Sequence, residues 1–209
     1  MEESKHLKLN KAKWDKWAES VDGKGRLYDY LRKAQSRVVS LLDIKENMNF
    51  LDIGCGTGWA IGQVAKLVMG KGSFYGVDLS EKMIEKAKKN FKDNDSIHFI
   101  RGNVESVPLD DNLFDIIICT HSFHHYLNPD KALNEMHRLL KIGGKVYILD
   151  ITADLWILKI SNKLTKLFSS EMVKFYSTKE FRRLIISSGL TYVGCKKIKA
   201  YQKVHIGEK

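Results

Sequence analysis

The chain of 209 residues suits one domain with a full core and is short for two. Its content, 44% hydrophobic and 29% charged, is ordinary for a soluble globular protein, and no run of about eighteen apolar residues is present to cross a bilayer. The formal charge of +10 sits mainly in residues 155–209, which hold twelve Lys/Arg against three Asp/Glu. That tail reads either as a surface for nucleic acid, an anionic membrane or an acidic substrate, or as solvated lysines. Three cysteines, Cys55, Cys119 and Cys195, are far apart and make no metal-ligand spacing. With a charged Met-Glu-Glu-Ser-Lys start that lacks the apolar core of a secretion signal, they predict a cytoplasmic setting.

In chain order, residues 10–42 read as helical, with Trp14, Trp17 and Ala18 on one face. Leu27, Tyr30, Leu31, Ala34, Val38, Leu41 and Leu42 recur at three- and four-residue steps, and Asp22-Gly23-Lys24-Gly25 breaks the pattern between the two stretches. Phe50, Leu51 and Ile53 then form a short apolar run suited to a buried parallel strand. It stops at Gly54, Gly56 and Gly58, after which Ala60, Ile61, Val64, Ala65, Leu67 and Val68 give a helical pattern. A strand, a glycine turn and a helix bring backbone N–H groups to face a ligand at the carboxyl edge of a sheet.

Spacing selects the ligand. A dinucleotide fingerprint starting at Gly54 requires glycine at position 59, where Trp59 stands. The segment Asp52-Ile-Gly-Cys-Gly-Thr-Gly58 instead resembles motif I, D-x-G-x-G-x-G, of the class I S-adenosylmethionine methyltransferases. The resemblance implies a Rossmann-like, doubly wound α/β sheet of seven strands, mostly parallel with the last antiparallel, and S-adenosyl-L-methionine as cofactor. Such a cofactor carries no phosphate, so the glycines serve close backbone approach. Asp52 supplies negative charge for the ligand's ammonium, directly or through a water.

Ser73 to Asp78 is a second strand ending in an acid, one strand–helix–strand repeat beyond Asp52. An acid there accepts hydrogen bonds from ribose hydroxyls, so Asp78 is the ribose candidate and Leu79 flanks the adenine. Ser80 is a helix N-cap, followed by the apolar stripe Met83, Ile84 and Ala87. Ile97 to Arg101 is a third strand, followed by Gly102-Asn-Val-Glu105. That block resembles the GDAExLPFxDxSFD segment of ubiquinone- and menaquinone-biosynthesis-type methyltransferases (methyltransferase type 11), in which the first acid binds the adenine amino group. Asn103 holds that position here, an amide that can still bond an adenine edge, with Val104 beside it.

Asp115 to Cys119 fills a fourth strand, and Thr120-His-Ser-Phe-His-His125 lies at its carboxyl end. No carboxylate or thiol cluster accompanies these histidines to hold a metal. His125 is a general-base candidate, beside the plainer reading in which the histidines pack against a helix or the cofactor edge. Asp130 to Lys141 reads as a helix closed by Gly143-Gly144, in a block resembling the family's RxLKPGGxLxxxD, with Val146 to Ile151 a fifth strand.

Residues 154–168 are amphipathic and read as a lid over the acceptor pocket or as a basic interfacial helix. Thr178 is expected to cap a last helix ending at Gly189, before two strands, Leu190 to Ile198 and Tyr201 to Ile206. The resulting expectation is a single domain over residues 1–209, with an N-terminal cap over 1–44 and an acceptor-site lid over 152–176. The Trp14-to-Ser20 segment resembles the family's FDxxAxxYD region, which covers the cofactor pocket.

The cofactor-binding set is Asp52, Gly54, Cys55, Gly56, Gly58, Asp78, Leu79, Met83, Asn103, Val104, Thr120 and His121, with His125 as catalytic candidate. The reaction implied is in-line transfer of the sulfonium methyl to a small-molecule acceptor, for which the aromatic and aliphatic lid suggests an apolar one, leaving S-adenosyl-L-homocysteine. A nucleic-acid methyltransferase using the basic tail and a non-catalytic cofactor-binding protein stand as alternatives. Against the former, Thr120-His-Ser-Phe123 occupies the place of an amino-adenine [DN]-P-P-[YF] signature, and neither Pro108 nor Pro129 adjoins a cysteine.

Overall fold

A computed structural model describes residues 2–20, 25–155, 174–199 and 201–209. Two helices, α1 (Glu2–Ser20) and α2 (Arg26–Val39), precede an alternating series of strands and helices. The series runs β1 (Met48–Ile53), α3 (Trp59–Leu67), β2 (Gly72–Asp78), α4 (Glu81–Asn90), β3 (Ile97–Arg101) and β4 (Phe114–Thr120). A 3₁₀ turn (Phe123–His125), α5 (Pro129–Leu139), β5 (Leu140–Ile151), α6 (Thr178–Ser187), β6 (Thr191–Lys199) and β7 (Gln202–Glu208) complete it.

The strands form one seven-stranded sheet in the order β3-β2-β1-β4-β5-β7-β6. Neighbours from β3 to β5 pair in parallel, while β7 runs antiparallel to both β5 and β6. The order reverses between β1 and β4, so the first crossovers leave on one side of β1 and the later ones on the other. A cleft opens at such a reversal, along the carboxyl ends of the strands.

The central strands are buried on both faces, which is why they read as unbroken apolar runs. Alternate side chains feed two cores. Phe50, Ile116 and Ile118 pack with α3 and α4, whereas Leu51, Ile53, Ile117 and Cys119 pack with α5 and α6. Phe50, Phe74, Phe114, Phe123 and Phe181 are fully buried, each contributing about 1.5–3 kcal/mol against exposure.

Two local expectations are corrected. Ser177, not Thr178, is the N-cap of the last helix, because its hydroxyl accepts from Glu180 N (3.3 Å) while Glu180 accepts in return from Ser177 N (2.8 Å). This reciprocal box satisfies two helix-end donors at once. Second, Gly143 and Gly144 lie within the span of β5, which begins at Leu140 beside Phe114 and shifts register before Lys145 meets Ile116. A Cβ at Gly144 would stand 3.0 Å from Phe114 O, so Gly144 serves the close passage of two strands, while Gly143 supplies a left-handed step (φ 77°). Most of the proposed lid, residues 156–173, lies outside the described residues.

Candidate active site

The loop after β1 makes three left-handed steps, Gly54 (φ 75°), Gly56 (φ 53°) and Gly58 (φ 81°). A Cβ at Gly54 would lie 2.6 Å from Ser122 Oγ, and one at Gly58 would lie 2.7 Å from the Phe99 ring. Glycine is therefore required at both by backbone and by packing. Ser122 is held by Cys119 Sγ (3.1 Å) and Tyr126 OH (3.0 Å), and it donates to Ile53 O (3.3 Å).

Asp78 closes β2 beside this loop. Its carboxylate accepts from the N–H groups of Gly56 (2.9 Å) and Ser80 (2.9 Å), leaving further lone pairs toward the cleft. Burial pushes its carboxyl up, and the two backbone donors draw it part of the way back. Ser80 caps α4 by accepting from Met83 N (3.2 Å) and donates its own hydroxyl to Asp15 of α1 (2.6 Å). One serine thus joins the cofactor edge to the cap.

The cap roofs the cleft. His6 donates to His125 O (2.9 Å), and the Asn10 amide lies 2.7 Å from the same His6 nitrogen. Trp14 meets the His125 ring edge-on at 5.2 Å, and Trp17 stacks on Tyr28 at 5.3 Å. From α2, Gln35 donates to Thr120 Oγ1 (2.9 Å) at the end of β4. The cavity beneath it, about 190 Å³, is lined by these residues and by the glycine loop.

The residues expected to bind cofactor converge on this cavity, with two exceptions. Gly54, Cys55, Gly56, Asp78, Leu79, Met83, Asn103, Val104, Thr120 and His121 line it, as does His125. Gly58 instead packs beneath the loop on Phe91 and Phe99. Asp52 is fully buried, and neither of its carboxylate oxygens has a hydrogen-bond partner. Burial, then the charge of Asp78, pushes its carboxyl up to about 8. Asn103 spends one lone pair on Glu105 N (3.1 Å) and keeps its amide N–H groups for another partner.

The three histidines differ in role. His121 sits in the left-handed region (φ 57°), and burial lowers its imidazole to about 4, so it is neutral near pH 7. Gln202 of β7 donates to its Nε2 (3.0 Å), while its Nδ1 is buried without a partner. His124 is anchored by Asp150, which accepts from its Nδ1 (2.7 Å) and from its backbone N–H (2.9 Å). His125 alone of the pair borders the cavity, its ring 4.1 Å from that of His124.

Residues 51–148 match the model of a methyltransferase domain family. The match to that methyltransferase domain covers just under half of the chain. A demethylmenaquinone methyltransferase of Staphylococcus epidermidis is 33% identical over 117 residues, 56% of this chain and 48% of that protein. The chain spans about half the length of the curated relatives it matches. A chain in the complex between the Haloferax volcanii Trm112 methyltransferase activator and a methyltransferase shares the fold with a TM-score of 0.80. It is 22% identical, with 93% of this chain and 96% of that one covered. A SAM-dependent methyltransferase of Aquifex aeolicus gives 0.68 at 22% identity, over 83% and 88% of the two chains.

The lining of the cleft fits S-adenosylmethionine by its chemistry. Gly56, where an added Cβ would meet nothing within 4 Å, leaves an open backbone edge beside the Asp78 carboxylate. Asp52, buried beneath it without a partner and raised to about 8, is neutral near pH 7, and a cation bound above it would favour its ionised form. Together they suit a ligand that brings a sugar diol and positive charge, which is the chemistry of S-adenosylmethionine.

Some cavity residues escaped the sequence reading. His6 lies before the stretch read as helical and Asn10 at its very start, and their i, i+4 spacing places them on one face of α1. Arg32, Gln35, Ser122 and Tyr126 also border the cavity. Their positions read only as a polar face of a helix and as part of a histidine-rich turn.

Proposed function

We propose that this protein transfers the methyl group of S-adenosylmethionine to a small, apolar ring acceptor of the quinone class. The observation that carries the reading is the roof of the cleft, where Trp14, Trp17 and Tyr28 border one cavity with the glycine loop and Asp78. Aromatic walls favour a planar apolar ring, and the name of the Staphylococcus relative supports a quinone.

When bound, the cofactor supplies a methyl group already activated on a sulfonium. The chain's own work is alignment and exclusion of water. Asp78 holds the ribose hydroxyls, Asn103 and Leu79 border the adenine, and α1 and α2 close the cleft from solvent. His125 takes the acceptor's proton where the acceptor must lose one before or during transfer. Several cations of the basic tail are engaged internally, which favours a small acceptor over nucleic acid. Lys203 pairs with Asp154 (2.7 Å), Lys174 with Glu180, and Lys199 covers the Tyr30 ring at 3.7 Å.

The test is incubation of the full chain with S-adenosylmethionine and a demethylmenaquinol analogue. S-adenosylhomocysteine and a product heavier by one methyl group are expected by mass spectrometry. Cofactor binding without turnover of any ring acceptor, combined with salt-sensitive binding and methylation of RNA, would replace this reading with the nucleic-acid one.

A further inference from the structure

Arg32, on the cap helix α2, presents its guanidinium to the cleft, and its Nε is buried with no hydrogen-bond partner. Two rings hold it in place, Tyr28 at 4.8 Å and Trp59 at 5.9 Å from the guanidinium carbon. Aromatic faces attract a cation but offer it no acceptor oxygens. The side chain is half-buried and its Nε has no acceptor, so an anion arriving in the cleft would complete its hydrogen bonding.

The sheet order tells which part of a ligand arrives there. Along the carboxyl edge, Asn103 follows β3, Asp78 ends β2, the glycine loop leaves β1 and Thr120 ends β4. Gln35, one turn after Arg32 on the same helix, donates to Thr120, and Trp59 begins the helix that follows the glycine loop. Arg32 therefore stands over β1 and β4, one to two strands from Asp78, at about 4.8 Å per strand. A nucleoside with its ribose on Asp78 and its adenine toward Asn103 extends its other end along the glycine loop to Arg32.

We infer that Arg32 binds the carboxylate at the methionine end of the cofactor, so that the N-terminal cap forms part of the cofactor site. The assignment rests on the S-adenosylmethionine reading of the cleft. A planar guanidinium fork suits a carboxylate, which it can meet with two parallel hydrogen bonds. The cap thus senses cofactor chemically as well as covering it.

Calorimetry on the full chain tests this with two ligands, S-adenosylhomocysteine and 5′-S-(3-aminopropyl)-5′-thioadenosine, the same molecule without its carboxylate. Arg32→Met is expected to weaken S-adenosylhomocysteine by about 10- to 100-fold and to leave the decarboxylated analogue within about twofold. Wild type should prefer S-adenosylhomocysteine by a similar factor, and Arg32→Lys should keep part of that preference. Equal loss of both ligands in Arg32→Met, or no loss of either, overturns the assignment. So does loss of turnover with unchanged S-adenosylhomocysteine affinity, which would move the arginine to the acceptor. If Arg32→Met does not fold, the preference of wild type and Arg32→Lys decides, and its absence in wild type refutes the inference. Wild type that binds neither ligand would overturn the cofactor reading itself, a distinct result.

Discussion

The backbone N–H of Gly56 donates to the carboxylate of Asp78 over 2.9 Å, joining the turn after β1 to the acid that ends β2. Asp78 also receives Ser80 N–H, so the acid proposed to meet the ribose also shapes the loop and the start of α4. Asp78→Ala should weaken S-adenosylhomocysteine binding by about 1–3 kcal/mol and lower folding stability as well. Calorimetry and thermal melting on the same variant check the two together. A variant that melts lower yet binds as tightly as wild type would refute the ribose role.

The glycines of the loop are separable by what surrounds them. Gly54→Ala and Gly58→Ala place a Cβ against Ser122 and Phe99 at left-handed backbone positions, and each should cost about 2–4 kcal/mol of stability. Gly56→Ala meets no atom within 4 Å and should cost only the backbone term, about 1–2 kcal/mol, while narrowing the ligand's approach. Denaturant unfolding of the three variants should rank them in that order.

Asp52 makes stability depend on pH in an unusual direction. Its folded carboxyl is raised to about 8, so between about pH 4 and 8 the folded chain holds a proton that the unfolded chain has released. Stability should fall as pH rises through that window, by up to about 1.4 kcal/mol per pH unit. His121 and His205, both lowered to about 4 by burial, act in the opposite sense between about 4 and 6.5, because the unfolded chain there binds protons the folded chain does not. The Asp52 effect is therefore cleanest from pH 6.5 to 8. Urea titrations across that interval should show a decline in wild type that Asp52→Asn removes.

Asp15 is one of the groups that fasten the cap to α4. Asp15 of α1 accepts from Ser80 Oγ (2.6 Å), Lys11 Nζ (2.7 Å) and, at longer range, Lys82 N (3.4 Å). It is an acid at the N-terminus of α4, where a helix favours negative charge. Asp15→Ala should loosen α1 by about 1–2 kcal/mol and speed tryptic cleavage at Lys11, Lys13 and Lys16 severalfold. Added S-adenosylhomocysteine should slow that cleavage in wild type.

What the sequence determined by itself was local: the apolar run of β1, the glycines behind it, the acid one repeat later and the parallel sheet they require. Such features are legible because a strand buried on both faces, a left-handed turn and a helix stripe each impose their residue types on neighbouring positions. Nearer choices were already less legible, since Ser177 and Thr178 are equal caps by type and only the reach of Glu180 selects between them. The tertiary structure alone decided which polar residues meet. His6 reaches a carbonyl 119 positions away, Gln35 a hydroxyl 85 positions away, and Arg32 faces the cleft through packing on Tyr28 and Trp59. Asp52 was legible as an acid in the motif, but its burial beneath the loop, out of the cavity wall, was not. Side-chain periodicity records which face a residue presents, and only the folded chain decides what that face meets.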